Sequence, residues 1–130
     1  MIKTLQPAAW AKPKGYSNGM ITDDKEIIFV AGQIGWNAEE KFESDDFVEQ
    51  CRQALMNVLA VLDEADASAK NIVRMTWYIT DKQAYKNSQK QLGAVYREVI
   101  GDAYPPMSMV EVKSLMEDEA KVEIEVTASK

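Results

Sequence analysis

The chain has 130 residues, a formal net charge of −6, 46% apolar residues, one cysteine and no histidine. That length and apolar content suit one domain that buries a core without disulfides or a structural metal. The missing histidine excludes Ser-His-Asp and Cys-His nucleophilic sites and histidine-ligated metals, and Cys51 alone cannot build a thiolate metal site. Any chemistry falls to carboxylates, tyrosine, lysine, backbone groups and water. Lys3, Lys12 and Lys14 are the only loose basic cluster, so nucleic acid is not an expected partner. No apolar run is long enough to span a bilayer, and "MIKTLQPAAWAKPKG" lacks the apolar centre of a signal peptide. With a lone cysteine, the expectation is a cytoplasmic protein with no membrane partner.

Residues 16–22, "YSNGMIT", and 25–36, "KEIIFVAGQIGW", read as two strands joined by a turn at Asp23-Asp24. Ile27 to Val30 form a β-branched and aromatic run of central-strand type, which Gly32 and Gly35 then break. Each glycine has two readings: a close approach of backbone or ligand, or a positive φ. A helix follows from Ser44, Asp45 and Asp46, three N-cap candidates, to about Ala65. Phe47, Cys51, Ala54, Leu55, Val58, Leu59 and Leu62 form its buried face, which makes Cys51 a structural thiol.

"NIVRMTWYIT" at 71–80 alternates, with Val73, Met75, Trp77 and Ile79 on one face and Arg74, Thr76, Tyr78 and Thr80 on the other. Asp81 caps a second helix running to about Ile100, with Tyr85, Leu92, Tyr96 and Val99 inward and Gly101 at its end. Two strands close the chain, about 107–113 and 121–128. The order β-β-α-β-α-β-β predicts an α+β fold with two helices on one face of a mixed sheet, and no repeat or linker interrupts it. The uncovered face is expected to carry Thr76, Tyr78, Met107, Met109 and Glu123. Its apolar members would be buried in a symmetric oligomer with clefts between subunits.

"KGYSNGM" at 14–20, "IFVAGQIGW" at 28–36, "EQCRQALMNVLAVLDEADA" at 49–67, "IVRMTWYITD" at 72–81 and "PPMSMVEVKSL…AKVEIEVTA" at 105–128 carry a further signal. Together they resemble the YjgF/RidA family of reactive-intermediate deaminases over nearly the whole chain. The combination of G-Q-I after a strand, Q-x(6)-N in the first helix and V-E-I-E near the end is specific, where no single motif would be. The resemblance implies a chorismate-mutase-like subunit and a homotrimer holding a small-molecule ligand in three inter-subunit clefts. It also implies cofactor-free hydrolysis of enamines and imines, such as 2-aminoacrylate, to 2-oxo acids and ammonia.

Position by position, the resemblance makes Tyr16 and Glu123 the catalytic candidates, with Glu123 binding or activating water. Gly32 and Met109 would present backbone to the ligand. Met107 stands where the deaminase branch has a carboxylate-binding arginine, which marks the chain as an arginine-lacking relative. A desolvated bidentate contact of that kind is worth on the order of 2–5 kcal/mol, and methionine supplies none of it. Met107, packed with Trp36, Tyr16 and Met109, is either interface filler or the floor of a pocket for an uncharged or aromatic ligand. Lys14 and Arg74 are alternative cations. An asparagine common in the second helix aligns near Gly93.

Glu123 and Glu125 share one strand face, where crowding of like charges favours a base. Three functions fit these features. The first is a divergent imine or enamine hydrolase. The second is a non-catalytic trimer that binds a small metabolite in a regulatory role. The third, an endoribonuclease or translation inhibitor, is disfavoured by the net acidity and the missing histidine.

Overall fold

A computed structural model describes residues 1–130. The main sheet contains β3 (Ile27–Ile34), β6 (Val122–Ser129), β4 (Ile72–Ile79) and β5 (Met107–Glu111), in that spatial order. β6 runs antiparallel to both its neighbours and β5 runs parallel to β4, so the sheet is mixed. Three helices, α1 (Phe47–Asp63), α2 (Lys82–Asn87) and α3 (Gln89–Val99), complete the main body. The α+β architecture with helices backing a mixed sheet is the one the sequence predicts. No helix is long and apolar enough to cross a membrane.

Of the three cap candidates, Asp46 is the N-cap of α1, its carboxylate accepting from the Glu49 amide at 3.0 Å. The helix buries Cys51, Ala54, Leu55, Val58 and Leu62 completely against the sheet residues Met75, Val122, Ile124 and Ala128. Each large aliphatic side chain removed from water in this way contributes about 1.5–3 kcal/mol. The helix stops at Asp63, short of Ala65, because Asp66 turns left-handed at φ 54° and returns the Ala67 amide to the Leu62 carbonyl.

Three features depart from the sequence reading. The single helix expected over 81–100 is two: Asp81 caps α2 as expected, with amide contacts at 2.9 and 3.1 Å, but Ser88 leaves helical geometry at φ −118°. The Asn87-Ser88 pair favours local backbone competition over a continued helix. The break precedes α3, which buries Leu92, Val95 and Tyr96, is capped at Ile100 and is followed by the left-handed Gly101 at φ 90°.

The expected hairpin partners also do not pair. Gly19–Thr22 forms β2, whose antiparallel partner is β1 (Ile2–Leu5), a strand too short and too polar to stand out. The turn at Asp23-Asp24 instead receives the amino-terminal ammonium, which pairs with both carboxylates.

The third correction concerns Met107 and Met109, which do not lie on the uncovered face. Parallel pairing sets Met107 opposite Met75 and Met109 opposite Trp77, so both methionines share the helix side with those buried residues. Ser108 and Val110 take the uncovered face instead, with Phe29, Arg74, Thr76, Tyr78, Glu123 and Glu125. Phe29 is 78% exposed there.

Candidate functional site

The first cluster forms where β3 and β6 lose register. Between Val30 and Gln33 the ladder contains a bulge at Ala31 and Gly32, a device that bends a strand and re-aims its neighbours. A side chain at 32 would place its Cβ 2.6 Å from the Glu123 Cδ, so glycine is what lets that carboxylate lie against the β3 backbone. Gly35, three residues on, faces the other way, where a Cβ would stand 2.7 Å from the Gln50 backbone of α1. Neither glycine has a positive φ, which decides both in favour of close approach.

The Q-x(6)-N pair in α1 supports this end of β3. Asn57 donates to the carbonyls of Ile34 and Trp36 at 3.0 and 2.8 Å. Buried Gln50 donates to Ser44 and Glu119 and accepts from the Lys121 amide at 2.8 Å, tying the approach to β6 to the helix. Beside Glu123 on the uncovered face, the Tyr78 hydroxyl donates to Glu125 at 2.6 Å, which raises the phenol pKa above its ordinary value. Glu125 thus already has a phenol partner.

The second cluster is a cavity of about 560 Å³ at the β5 edge of the sheet. Its sheet wall is Trp77, Met107 and Met109, and the facing wall comes from α2 and α3 through Tyr85, Leu92, Tyr96 and Arg97. Tyr16 reaches its rim because the segment before β2 is strapped to the one before β5. The Ser17 amide donates to Pro105 at 3.2 Å, and the Ser17 hydroxyl donates to Tyr104 at 2.5 Å. Tyr104 stacks on Tyr96 at 5.5 Å, and the Tyr96 hydroxyl donates to Ala103 at 2.5 Å. Burial holds the Tyr96 phenol and the Cys51 thiol well above their usual pKa values, so both stay protonated, and Cys51 is structural.

Tyr16, Met107 and Met109 therefore meet in one cavity, while Gly32 and Glu123 meet on the opposite side of the sheet. Trp36 joins neither group, contrary to its expected place beside Met107. It lies in the loop beyond β3, with its ring 5.9 Å from Phe42 and its carbonyl held by Asn57. Of the two alternative cations, Lys14 lines the cavity and Arg74 lies on the uncovered face. Gly93 also lines the cavity. The sequence reading passed over Trp77, Tyr85, Tyr104 and Arg97 as cavity walls. The alternation that groups Trp77 with Met75 was a usable signal, but only once the register of β5 was known. No group of three or more His, Cys, Asp or Glu side chains is placed to hold a metal ion.

The mixed sheet backed by helices has clear counterparts among known proteins. Residues 6–130 match the family model described as Endoribonuclease L-PSP, and the chain belongs to this YjgF/RidA family. A RutC family protein of Aquifex aeolicus is 39% identical over 106 residues, covering 80% of this chain and 81% of that one. The Rid family protein YyfB of Yersinia pestis superimposes with a TM-score of 0.85 at 27% identity, covering 99% and 98% of the two chains. The E. coli TdcF structure with bound serine gives 0.69 at 28% identity, covering 98% of each.

Proposed function

We propose that the protein hydrolyses an imine or enamine, releasing ammonia, at clefts between the subunits of a homotrimer. The observation that carries this reading is the Glu123 carboxylate seated against Gly32 on the uncovered sheet face. Tyr16, Met107 and Met109 line the far edge of the same sheet, so a neighbouring subunit could complete each cleft. Phe29, exposed on a strand face beside Arg74 and Thr76, supports burial of that face against another copy. TdcF, a relative in fold and sequence, holds serine in its crystal structure, which favours an amino-acid-like ligand here as well.

The chemistry needs no cofactor. An enamine takes a proton at carbon and becomes an iminium. Water then adds to the C=N carbon as a base accepts its proton, and the carbinolamine expels ammonia as the C=O bond forms. Glu123 is the base and water holder in this scheme, and Tyr16 is a hydrogen-bond donor to the ligand. The absence of an arginine at 107 narrows the substrate, because nothing on β5 offers a fork to a carboxylate.

The apolar Met107–Met109 floor also favours a second reading, a regulatory trimer that binds a metabolite without consuming it. The endoribonuclease label attached to the family model is disfavoured by a net charge of −6 and no histidine. A cytosolic setting accords with the lone buried thiol of Cys51.

The test measures ammonia from imines generated in situ by an amino-acid oxidase, with wild type, Glu123→Gln and Met107→Arg in parallel. Activity in wild type that falls about 100-fold in Glu123→Gln supports the hydrolase. Activity in Met107→Arg alone, or in none of the three, leaves the binding reading in its place. Light scattering checks the assembly, with Phe29→Asp expected to shift the trimer towards monomer.

A further inference from the structure

The cavity at the β5 edge has a charge pattern that the sheet strands alone do not explain. Its only charged lining residues are Lys14 and Arg97, and no aspartate or glutamate lines it. Arg97 makes no ion pair within the chain, although α3 carries a carboxylate at the next position. That carboxylate, Glu98, is paired with Arg52 of α1, which also holds Glu49 at 3.1 Å. The helix thus directs its acid towards α1 and leaves its arginine to the cavity.

Residue 93 makes room for this arrangement. A Cβ on Gly93 would stand 3.4 Å from the Arg97 Nη1, an ordinary contact, so the guanidinium of this exposed arginine lies back along the helix beside the glycine. Opposite it, Trp77 is 3% exposed and its indole N–H is the one buried side-chain polar atom without a hydrogen-bond partner. Tyr85, Leu92, Met107 and Met109 give the remaining walls a mainly apolar character, with Gln89 as a neutral polar member. A volume of about 560 Å³ has room for a ring-bearing molecule.

We infer that this cavity takes an aromatic carboxylate, with the Arg97 guanidinium as its anion anchor and the ring held by Trp77, Tyr85 and the two methionines. In the hydrolase the substrate class is then an aromatic 2-imino acid, which leaves as the aromatic 2-oxo acid. Arginine suits the role because its planar fork matches a carboxylate in two parallel hydrogen bonds, while its neighbours supply stacking faces and a polarizable thioether lining. This substrate assignment rests on the hydrolase reading, but the binding it entails does not.

The experiment is calorimetric titration of the full-length protein with phenylpyruvate, pyruvate and the uncharged ketone phenylacetone. Phenylpyruvate is expected to bind at least ~10-fold tighter than either of the others. Arg97→Gln is expected to weaken it roughly 30-fold, Arg97→Lys to give an intermediate value, and Lys90→Gln, exposed on the same helix outside the cavity, to change nothing. Thermal melts accompany each variant, and the Arg97→Lys result decides the matter if Arg97→Gln proves unfolded.

Equal binding of phenylpyruvate and phenylacetone, phenylpyruvate binding indifferent to both Arg97 variants, or no phenylpyruvate binding overturns the inference. Ammonia release from phenylalanine-derived imine is measured beside it. Arg97-dependent binding without ammonia release upholds the anchor and defeats the hydrolase. Ammonia release indifferent to Arg97 defeats the anchor and leaves the hydrolase standing.

Discussion

The two sides of the four-stranded sheet use the same steric device for different ends. At Gly35, on the helix side, an added Cβ would run into the backbone of α1 at Gln50. At Gly32, on the uncovered side, it would run into the end of the Glu123 side chain at 2.6 Å. A helix backbone inside a close-packed core cannot yield, whereas a carboxylate on a flexible stem can swing away. The first glycine therefore secures the fold, and the second secures the position of a chemical group. The two contacts are equally close, and the mobility of the neighbour is what separates them.

Substitutions on the two sides should separate accordingly. Gly35→Ala is expected to lose about 3 kcal/mol of stability in urea unfolding, the upper range for overpacking a rigid site. A loss below ~1 kcal/mol would show that α1 can shift, and would erase the contrast. Gly32→Ala should cost under ~1 kcal/mol in the same assay, yet reduce ammonia release about 10-fold by displacing Glu123. Unchanged turnover would remove the functional role given to that contact.

Asp46→Ala tests how firmly the helix side is anchored. Loss of the cap on the Glu49 amide should cost about 1 kcal/mol, read from the shift in the urea midpoint, with ammonia release unaffected. The smallest effect belongs to the uncovered side, at Tyr78. The neutral phenol donates to Glu125 and a phenolate could not, so the folded-state pKa is raised above the ordinary value of 10.0. The stabilisation linked to that proton is fully present below pH 10 and fades as pH rises through the raised folded-state value. Phenolate absorbance, taken as wild type minus Tyr78→Phe, should show a late-titrating tyrosine that Glu125→Gln returns towards its ordinary range. An early-titrating Tyr78 would mean the bond does not hold in solution.

How far the site was legible depended on the strand. β6 announces its faces in its own residues: Val122, Ile124 and Val126 are all buried, and Glu123 lies opposite to them as the alternation requires. β5 offered two methionines with no polar contrast to orient them, and its reading as part of the uncovered face was wrong. Methionine tolerates either side of a sheet, so parity had to come from the parallel ladder with β4. Trp36 does not meet Met107 within one subunit for a related reason, since an aromatic just past a strand end follows its loop and not the strand's alternation. Arg97 escaped notice because a helical arginine is ordinarily solvated, and only the cavity beside it gives the position meaning.

Local pattern was enough for the α+β class, the buried face of α1, the alternation of β4 from Arg74 onward, the faces of β6 and the family, because periodicity is a local property. The choice of Asp46 among three cap candidates, and the bulge that buries Ile72 where Val73 was expected, came from the structure. The close-approach role of Gly32 and Gly35, the break at Ser88, the pairing of β2 with β1, the side of the sheet taken by Met107 and Met109 and the walls of the cavity were settled only by the tertiary structure. Each of these depends on which distant segment lies alongside. Strand register, interelement packing and the pairing of one arginine but not its neighbour are relations between residues far apart in the chain, and no local pattern encodes them.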